Sequence, residues 1–200
     1  ENFDVNPSAN FTGVSYSVPI HMRFNIIKKR FPYDRTRKLK IGLIYADMPQ
    51  SHSYKRWIEE AMTGPVVTGG VKTKKYAKLT GFEFHFRMVP FVSGPNGNQA
   101  MADSAKQYVQ ELNNMIDVFV SPNDQMGANK PFAEMVWKTA TKPLVGLGRL
   151  DVVDNWGAMG SIFPSVEEIG RQSGSMIVKI LKGEEIKNIP AEIPSQSGYA

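Results

Sequence analysis

Short strand-like apolar runs alternate with longer amphipathic stripes along most of this chain, and that alternation restricts its fold more than any other feature. The clearest run is Lys40-Ile41-Gly42-Leu43-Ile44-Tyr45. It reads as a central strand of a parallel sheet, covered by helices on both faces. Tyr54, Trp57, Ile58 and Ala61 follow at helical spacing. Phe82, Phe84, Phe86 and Met88 then alternate with Glu83, His85 and Arg87. Strict period two gives this second strand one wet face, which suits the edge of a sheet. Between them, residues 63–80 read as an exposed excursion. Met101, Ala105, Tyr108, Val109 and Leu112 predict a helix, residues 115–120 a strand, 131–140 a short helix, 143–146 a fourth strand and 159–163 a fifth. Ser165-Val166-Glu167-Glu168 is a capping box. It opens a helix with Ile169, Met176, Ile177, Ile180 and Leu181 on its inward face, stopped by Gly183. Ahead of the sheet, Thr12 to Tyr16 reads as a short strand. Ile20, Phe24, Ile27 and Phe31 form one helix face, capped by Ser17, with Pro19 in the first turn and Pro32 at the end. Strands alternating with helices specify the α/β class with a doubly wound parallel sheet. In the flavodoxin-like order 2-1-3-4-5 the second strand is an edge, in agreement with its alternation. Residues 1–35 form a crossover strand and first helix, 36–163 the α/β lobe, and 164–200 a returning helix and tail.

Composition narrows the function. At 200 residues, 42% hydrophobic and 22% charged, the chain resembles an ordinary folded domain, not a disordered one. No apolar run approaches the ~20 residues of a membrane helix. There is no cysteine, which excludes thiolate nucleophiles and cysteine-ligated zinc. His21, His52 and His85 have no metal spacing, and His21 and His85 read as solvated surface residues. The net charge of +5 gathers in two clumps, Lys28 to Lys40 and Lys72 to Lys78. Phe31 and Tyr33 fall in the first and Tyr76 in the second, but neither clump has a helix-turn-helix pattern, so no nucleic-acid partner is expected. Gly146-Leu147-Gly148-Arg149-Leu150-Asp151 begins like a dinucleotide fingerprint, but Asp151 stands where the last glycine belongs. Gly64 to Thr73 misses a phosphate loop, because Gly70 and Val71 replace its Lys and Ser/Thr. No cofactor and no metal is expected. Without a nucleophile–base set or a G-x-S-x-G elbow, no catalytic residue is assigned and the chain reads as a binder, not an enzyme.

Ligands of such sheets bind at the carboxyl ends of the strands. This selects four loops: Asp47 to His52, Val92 to Asn98, Ser121 to Gly127, and Leu147 to Asp151. The candidate ligand-binding residues are Gln50, Ser51 and His52 after the first strand, Asn123, Asp124 and Gln125 after the third, and Arg149 after the fourth. Ser51 heads a helix whose first amides favour an anion. Asp124 suits an ammonium group and Arg149 a carboxylate held bidentately, so that together they suit a zwitterion such as an amino acid. The bland alternatives are a helix cap at His52, an Asx-turn at Asn123 to Gln125, and a surface ion pair at Arg149.

Six pieces in order resemble a known family. They are Asn10-Phe11-Thr12-Gly13-Val14-Ser15, Ile41 to Tyr45, Asp117 to Asp124, Pro143 to Gly146, Gly170 to Gly174 with Ile180 to Glu184, and Ile189-Pro190. Together they are similar to the crossover, strands and returning helix of ABC transporter substrate-binding proteins, the ABC_sub_bind group. The resemblance implies a type I periplasmic binding fold, of which most of the first lobe is missing here. It implies a non-catalytic solute-binding component of an ABC importer, periplasmic or otherwise outside the cytoplasm. Its partners would be a small polar ligand and a membrane permease. The effector core of a LacI-like regulator, or a sensor domain, shares the fold and is the rival reading. The resemblance also implies that the 166–181 helix packs on the missing lobe through Ile169, Met176, Ile177 and Ile180. The chain is therefore expected to form a homodimer through that helix, or to bury the face by rearrangement.

Overall fold

The computed structural model describes residues 12–14, 18–63, 78–192, 194 and 197–200. Of the excursion expected over residues 63–80, residues 64–77 lie outside the described residues, as do Ser15 and Tyr16 of the first expected strand, the Ser17 cap and the second basic clump up to Ala77; Leu79, in the described end of the excursion, is buried and not exposed.

Strand β1 (Leu39–Ala46) is buried along almost its whole length. Leu39, Ile41, Leu43 and Tyr45 face helices α1 (Ile20–Arg30) and α2 (Pro49–Thr63). Ile44 and Ala46 face α3 (Gly97–Asn113) and α4 (Lys130–Thr139). Alternate residues thus feed two cores, one on each side of the sheet, which is why the run contains no charged residue beyond Lys40. Strands β2 (Phe82–Val89), β3 (Val118–Val120), β4 (Leu144–Gly146) and β5 (Gly160–Pro164) lie parallel to β1. The order is β2-β1-β3-β4-β5-β6, with β2 at an edge as its alternation requires. The last strand, β6 (Ser197–Tyr199), adds an antiparallel edge to β5 from the tail.

The wet face of β2 is less wet than its pattern suggests. Arg87 pairs with Glu111 of α3, and the His85 side chain is only 18% exposed beside Glu83, at 2.8 Å. His21 is likewise half-buried, so neither histidine is a freely solvated one. On the opposite face Phe84 and Phe86 stack at 5.9 Å, while Met88 at the strand's end stays exposed. Helix α1 stops because Phe31 precedes Pro32 and takes the extended conformation that proline imposes. Arg35 then donates to the Lys28 and Lys29 carbonyls of its last turn.

At the amino ends of the strands, Arg37 grips Asp117 with two bonds of 2.7 Å, and the Lys40 amide adds a third at 2.9 Å. The Arg37 hydrogen bond holds the Asp117 carboxyl below its ordinary value. A depressed folded value stabilises fully above the ordinary aspartate pKa of about 3.9, and the stabilisation is lost as pH falls from there through the folded value. Asp117→Asn is therefore expected to be less stable than the parent near pH 7, with the gap closing in acid. Urea melts at several pH values check this, and a gap that persists at the acid end contradicts it.

Helix α6 (Val166–Leu181) has the predicted bounds, and Ser165 accepts the Glu168 amide at 3.2 Å. Its orientation differs from the inward face that apolar spacing marks, which the resemblance turns away from this chain. The face turned to the chain holds Glu168, Gln172 and Met176, while Ile177 and Ile180 point to solvent and Ile169 is half-buried. Gln172 reaches Glu192 at 2.6 Å, and Glu192 forms a parallel bridge with Val14 of the crossover. Among the described residues the inward side of α6 thus meets the crossover at Thr12 and the tail at Glu192.

Candidate ligand-binding rim

Four loops meet at the carboxyl ends of β1 to β4. The chain reverses direction about β1, since β2 lies on one side and β3 on the other. The crevice between β1 and β3 is therefore the switch point of the sheet.

Helix α2 begins at Pro49, so Gln50, Ser51 and His52 occupy its first turn and not a loop before it. The Ser51 and His52 amides both donate to the Met48 carbonyl, at 3.0 and 3.2 Å. Gln50 is exposed. His52 is exposed and bonds Asp47 at 2.7 Å, with its ring against Tyr45 at 5.9 Å. The Ser51 hydroxyl is buried and donates to Oδ2 of Asp124.

That contact joins the first and third strand ends across the crevice. Asp124 Oδ2 also accepts the Ala46 amide at 3.3 Å, while Oδ1 accepts the Met126 and Gly127 amides at 2.8 and 3.3 Å. Each oxygen therefore holds two donors. Burial pushes the Asp124 carboxyl above its ordinary value, and the four hydrogen bonds oppose that shift. Gln125 turns outward to Asn98 of α3, at 2.9 Å. Asn123 is half-buried and its amide makes no hydrogen bond among the described residues. Arg149 is exposed and has no ion-pair partner among the described residues. The structure thus brings Ser51 and Asp124 into contact, leaves Asn123 on the Asp124 loop, and puts Arg149 on the far side of β3 at the end of β4.

Two residues beneath the rim were not among the sequence candidates. Arg23 of α1 is 1% exposed and donates to the Tyr54 hydroxyl at 2.8 Å and to the Gly146 carbonyl at 3.1 Å. Its Nε is buried and finds no acceptor among the described residues. Asp151 is 3% exposed and accepts the Leu147 and Gly148 amides at 2.6 and 2.9 Å. Burial raises its carboxyl; these amides and the nearby Arg23 charge act the other way. This explains the imperfect fingerprint. Asp151, in the place of a third glycine, closes the loop onto its own backbone from the first turn of the short helix α5 (Leu150–Val153). Gly146 is needed there, since a Cβ would lie 2.2 Å from Asp151 Oδ2. The signal for Arg23 was its spacing, three residues after Ile20 on the buried side of α1.

Among the described residues there is no group of three or more potential metal ligands, and no helix is long and apolar enough to cross a membrane. A cavity of about 210 Å3 lies away from the rim. It is mostly apolar, between Ile27 of α1, Phe31 just after that helix, and Val145, Ile162 and Tyr199 of the sheet.

No family model matches the chain, and no curated protein matches it significantly. Solved structures do. A conserved domain protein from Vibrio cholerae O1 biovar El Tor superposes with a TM-score of 0.61 at 18% identity, over 97% of this chain and 56% of that one. The ABC domain from Streptococcus pneumoniae in complex with L-Trp superposes with a TM-score of 0.57 at 20% identity, over 94% and 55%. The chain thus spans a little over half the length of the solved chains it matches. With its parallel sheet in the order 2-1-3-4-5 and one added strand, this chain shares the α/β fold of the matching part, a little over half, of each of these two solved chains.

Proposed function

We propose that this chain is the ligand-capturing lobe of a solute-binding protein serving an ABC importer outside the cytoplasm. It binds without catalysis. Its ligand is a small polar molecule such as an amino acid, held at the rim by Gln50, Ser51, His52, Asn123, Asp124, Gln125 and Arg149. The observation that carries the reading is the Ser51–Asp124 contact, because it gathers groups from two strand ends at the switch point of the sheet. The structural relative that holds L-Trp supports an amino-acid ligand. The four donors on Asp124 set the mechanism. A ligand ammonium group gains its place by replacing the Ser51 hydroxyl, the only one of the four that can rotate away. Asn123, Gln50 and Arg149 are the groups left to meet the remaining polar atoms. The partners of this reading are the ligand, a membrane permease of the ABC type, and a second copy of the chain on the exposed face of α6.

Native mass spectrometry for co-purified small molecules, followed by thermal melts with each of the twenty amino acids, tests the ligand. At a hundredfold excess over Kd a true ligand stabilises by about 2.7 kcal/mol, or roughly 5–11 °C in midpoint. Asn123→Ala removes an amide with no bond in the structure, so it is expected to weaken that ligand about tenfold and leave the unliganded midpoint unchanged. No co-purified molecule and no shift with any amino acid would overturn the reading.

A further inference from the structure

We infer that the cavity between α1 and the β5–β6 edge is a second binding site, for a small monocarboxylate with a compact apolar body, such as an aromatic acid. It is independent of the rim and of any ligand held there. Alternation along β5 explains why the space exists. Ile162 faces the α1 core, so Gly160 faces it too, and Gly160 is in register with Val145 of β4. Where a side chain would fill the gap under α1, β5 has none. Beyond its chain neighbours, an ideal Cβ at Gly160 would meet the Ala200 carbonyl at 3.2 Å and nothing of α1 within 4 Å. That carbonyl already accepts the Ser161 amide at 2.9 Å. Ile27, Val145 and Ile162, all buried, form the floor, and exposed Met159, Tyr199 and Arg30 form the mouth.

Volume and charge select the occupant. An apolar cavity of roughly 150 Å3 takes up a benzene ring. A volume of about 210 Å3 therefore holds one with room for a substituent. The substituent points out through the mouth, where the Arg30 guanidinium lies 4.4 Å from the centre of the Tyr199 ring. Arg30 forms no ion pair among the described residues. A guanidinium lying over a ring keeps its N–H edge open to a carboxylate. A neutral apolar occupant leaves that charge unused, and a cation meets it as a like charge. The mouth also lies away from the crossover. Arg23 bonds Gly146 at the carboxyl end of β4, and Arg30 is about 10 Å further along the same helix, beside the start of β5. Val14, bridged to Glu192, precedes the other end of α1. The opening thus sits at the end of the lobe opposite both the rim and the crossover.

Benzoate is the probe, with benzamide as its neutral isostere. The full chain, isotopically labelled at its methyl groups, is titrated with each by NMR at constant ionic strength. Benzoate is expected to shift the methyl signals of Ile27, Val145 and Ile162 saturably, with a Kd on the order of 1 mM. Ala46 and Met126, which bond Asp124 at the rim, are expected to stay in place. Benzamide is expected to bind about fivefold more weakly, and Arg30→Gln to bring the two to equal affinity. Gly160→Leu is expected to fill the cavity and abolish the shifts. Ile26→Phe, which closes it from α1, does the same and decides the question if Gly160→Leu fails to fold. No saturable shift in the parent overturns the inference, and shows a cavity that is empty or filled by another part of the protein. Equal affinity of the parent for benzoate and benzamide overturns the carboxylate. Shifts that survive a folded filling variant, or that centre on Ala46 and Met126, overturn the site itself. Failure of every amino acid to stabilise the chain would sink the rim reading and leave this one standing.

Discussion

Asp124→Ala is expected to lower the thermal midpoint by roughly 6–12 °C, from a loss of about 3 kcal/mol. The carboxylate is the shared acceptor of three amides and one hydroxyl from three segments: the end of β1, the first turn of α2, and the loop after β3. Truncation leaves those amides in a buried crevice with no protein acceptor, and each unsatisfied group costs about 1–3 kcal/mol before water enters. Ser51→Ala removes one donor and leaves the three amides satisfied, so its effect is expected to be less than half as large. Asp124→Asn keeps one good acceptor but turns an N–H toward two donors, and falls between them. Circular dichroism melts of the three variants check the ranking. Equal midpoints for Asp124→Ala and the parent would show that water replaces the carboxylate without loss, and that the crevice is wet. The variant therefore reports first on the fold of the rim. Its effect on a ligand must be compared with Asn123→Ala, which leaves the network intact.

The sheet order was legible in the sequence because it rests on burial, and burial leaves a periodic trace. β1 is apolar on both faces and lies centrally; β2 alternates and lies at the edge. The bounds of α6 were legible because a capping box and a stopping glycine are local chemistry. Its inward face was not. Apolar spacing marks which residues avoid water, but not whether the surface they seek belongs to the same chain. The tail from Ile189 to Tyr199 reads as a strand or crossover and ends in β6, whereas α5 escaped notice because four residues are too few to show a period. At the rim, the strand ends identified the loops, and the bonds within them followed only from the fold. Ser51 and Asp124 are 73 residues apart, and whether an aspartate at a loop accepts from its own turn, from a facing helix or from both depends on register. Here Asp124 does both, accepting from its own turn and from the facing helix. Arg23 was missed for a related reason. An arginine on a helix reads as a solvated residue, and its acceptor Gly146 lies 123 residues further on.

Arg23→Ala is expected to be the most damaging single truncation, at about 4 kcal/mol or roughly 8–16 °C in midpoint. Two separable quantities are lost. One is volume, since Arg23 is among the largest fully buried side chains and alanine leaves a cavity between α1, α2 and the end of β4. The other is charge, which tethers the Tyr54 hydroxyl and the Gly146 carbonyl and lies near Asp151. Arg23→Met restores most of the volume without the charge. Burying an arginine with no carboxylate in contact is itself unfavourable, so the methionine variant is expected within about 1.5 kcal/mol of the parent. What it cannot restore is the field at Asp151. Burial raises that carboxyl and Arg23 restrains the rise, so without Arg23 the carboxyl moves higher still. A folded value above the unfolded one means that stability increases as pH falls through the folded value, until the unfolded value near 3.9 is reached. In Arg23→Met this increase begins at higher pH and is larger. The gap between parent and variant should therefore narrow from neutral pH toward the ordinary carboxylate range, whereas in an Asp151→Asn background the two curves should run parallel. Urea midpoints across that range measure both. Parallel curves with Asp151 intact would show that Arg23 acts on the rim through packing and its two hydrogen bonds alone.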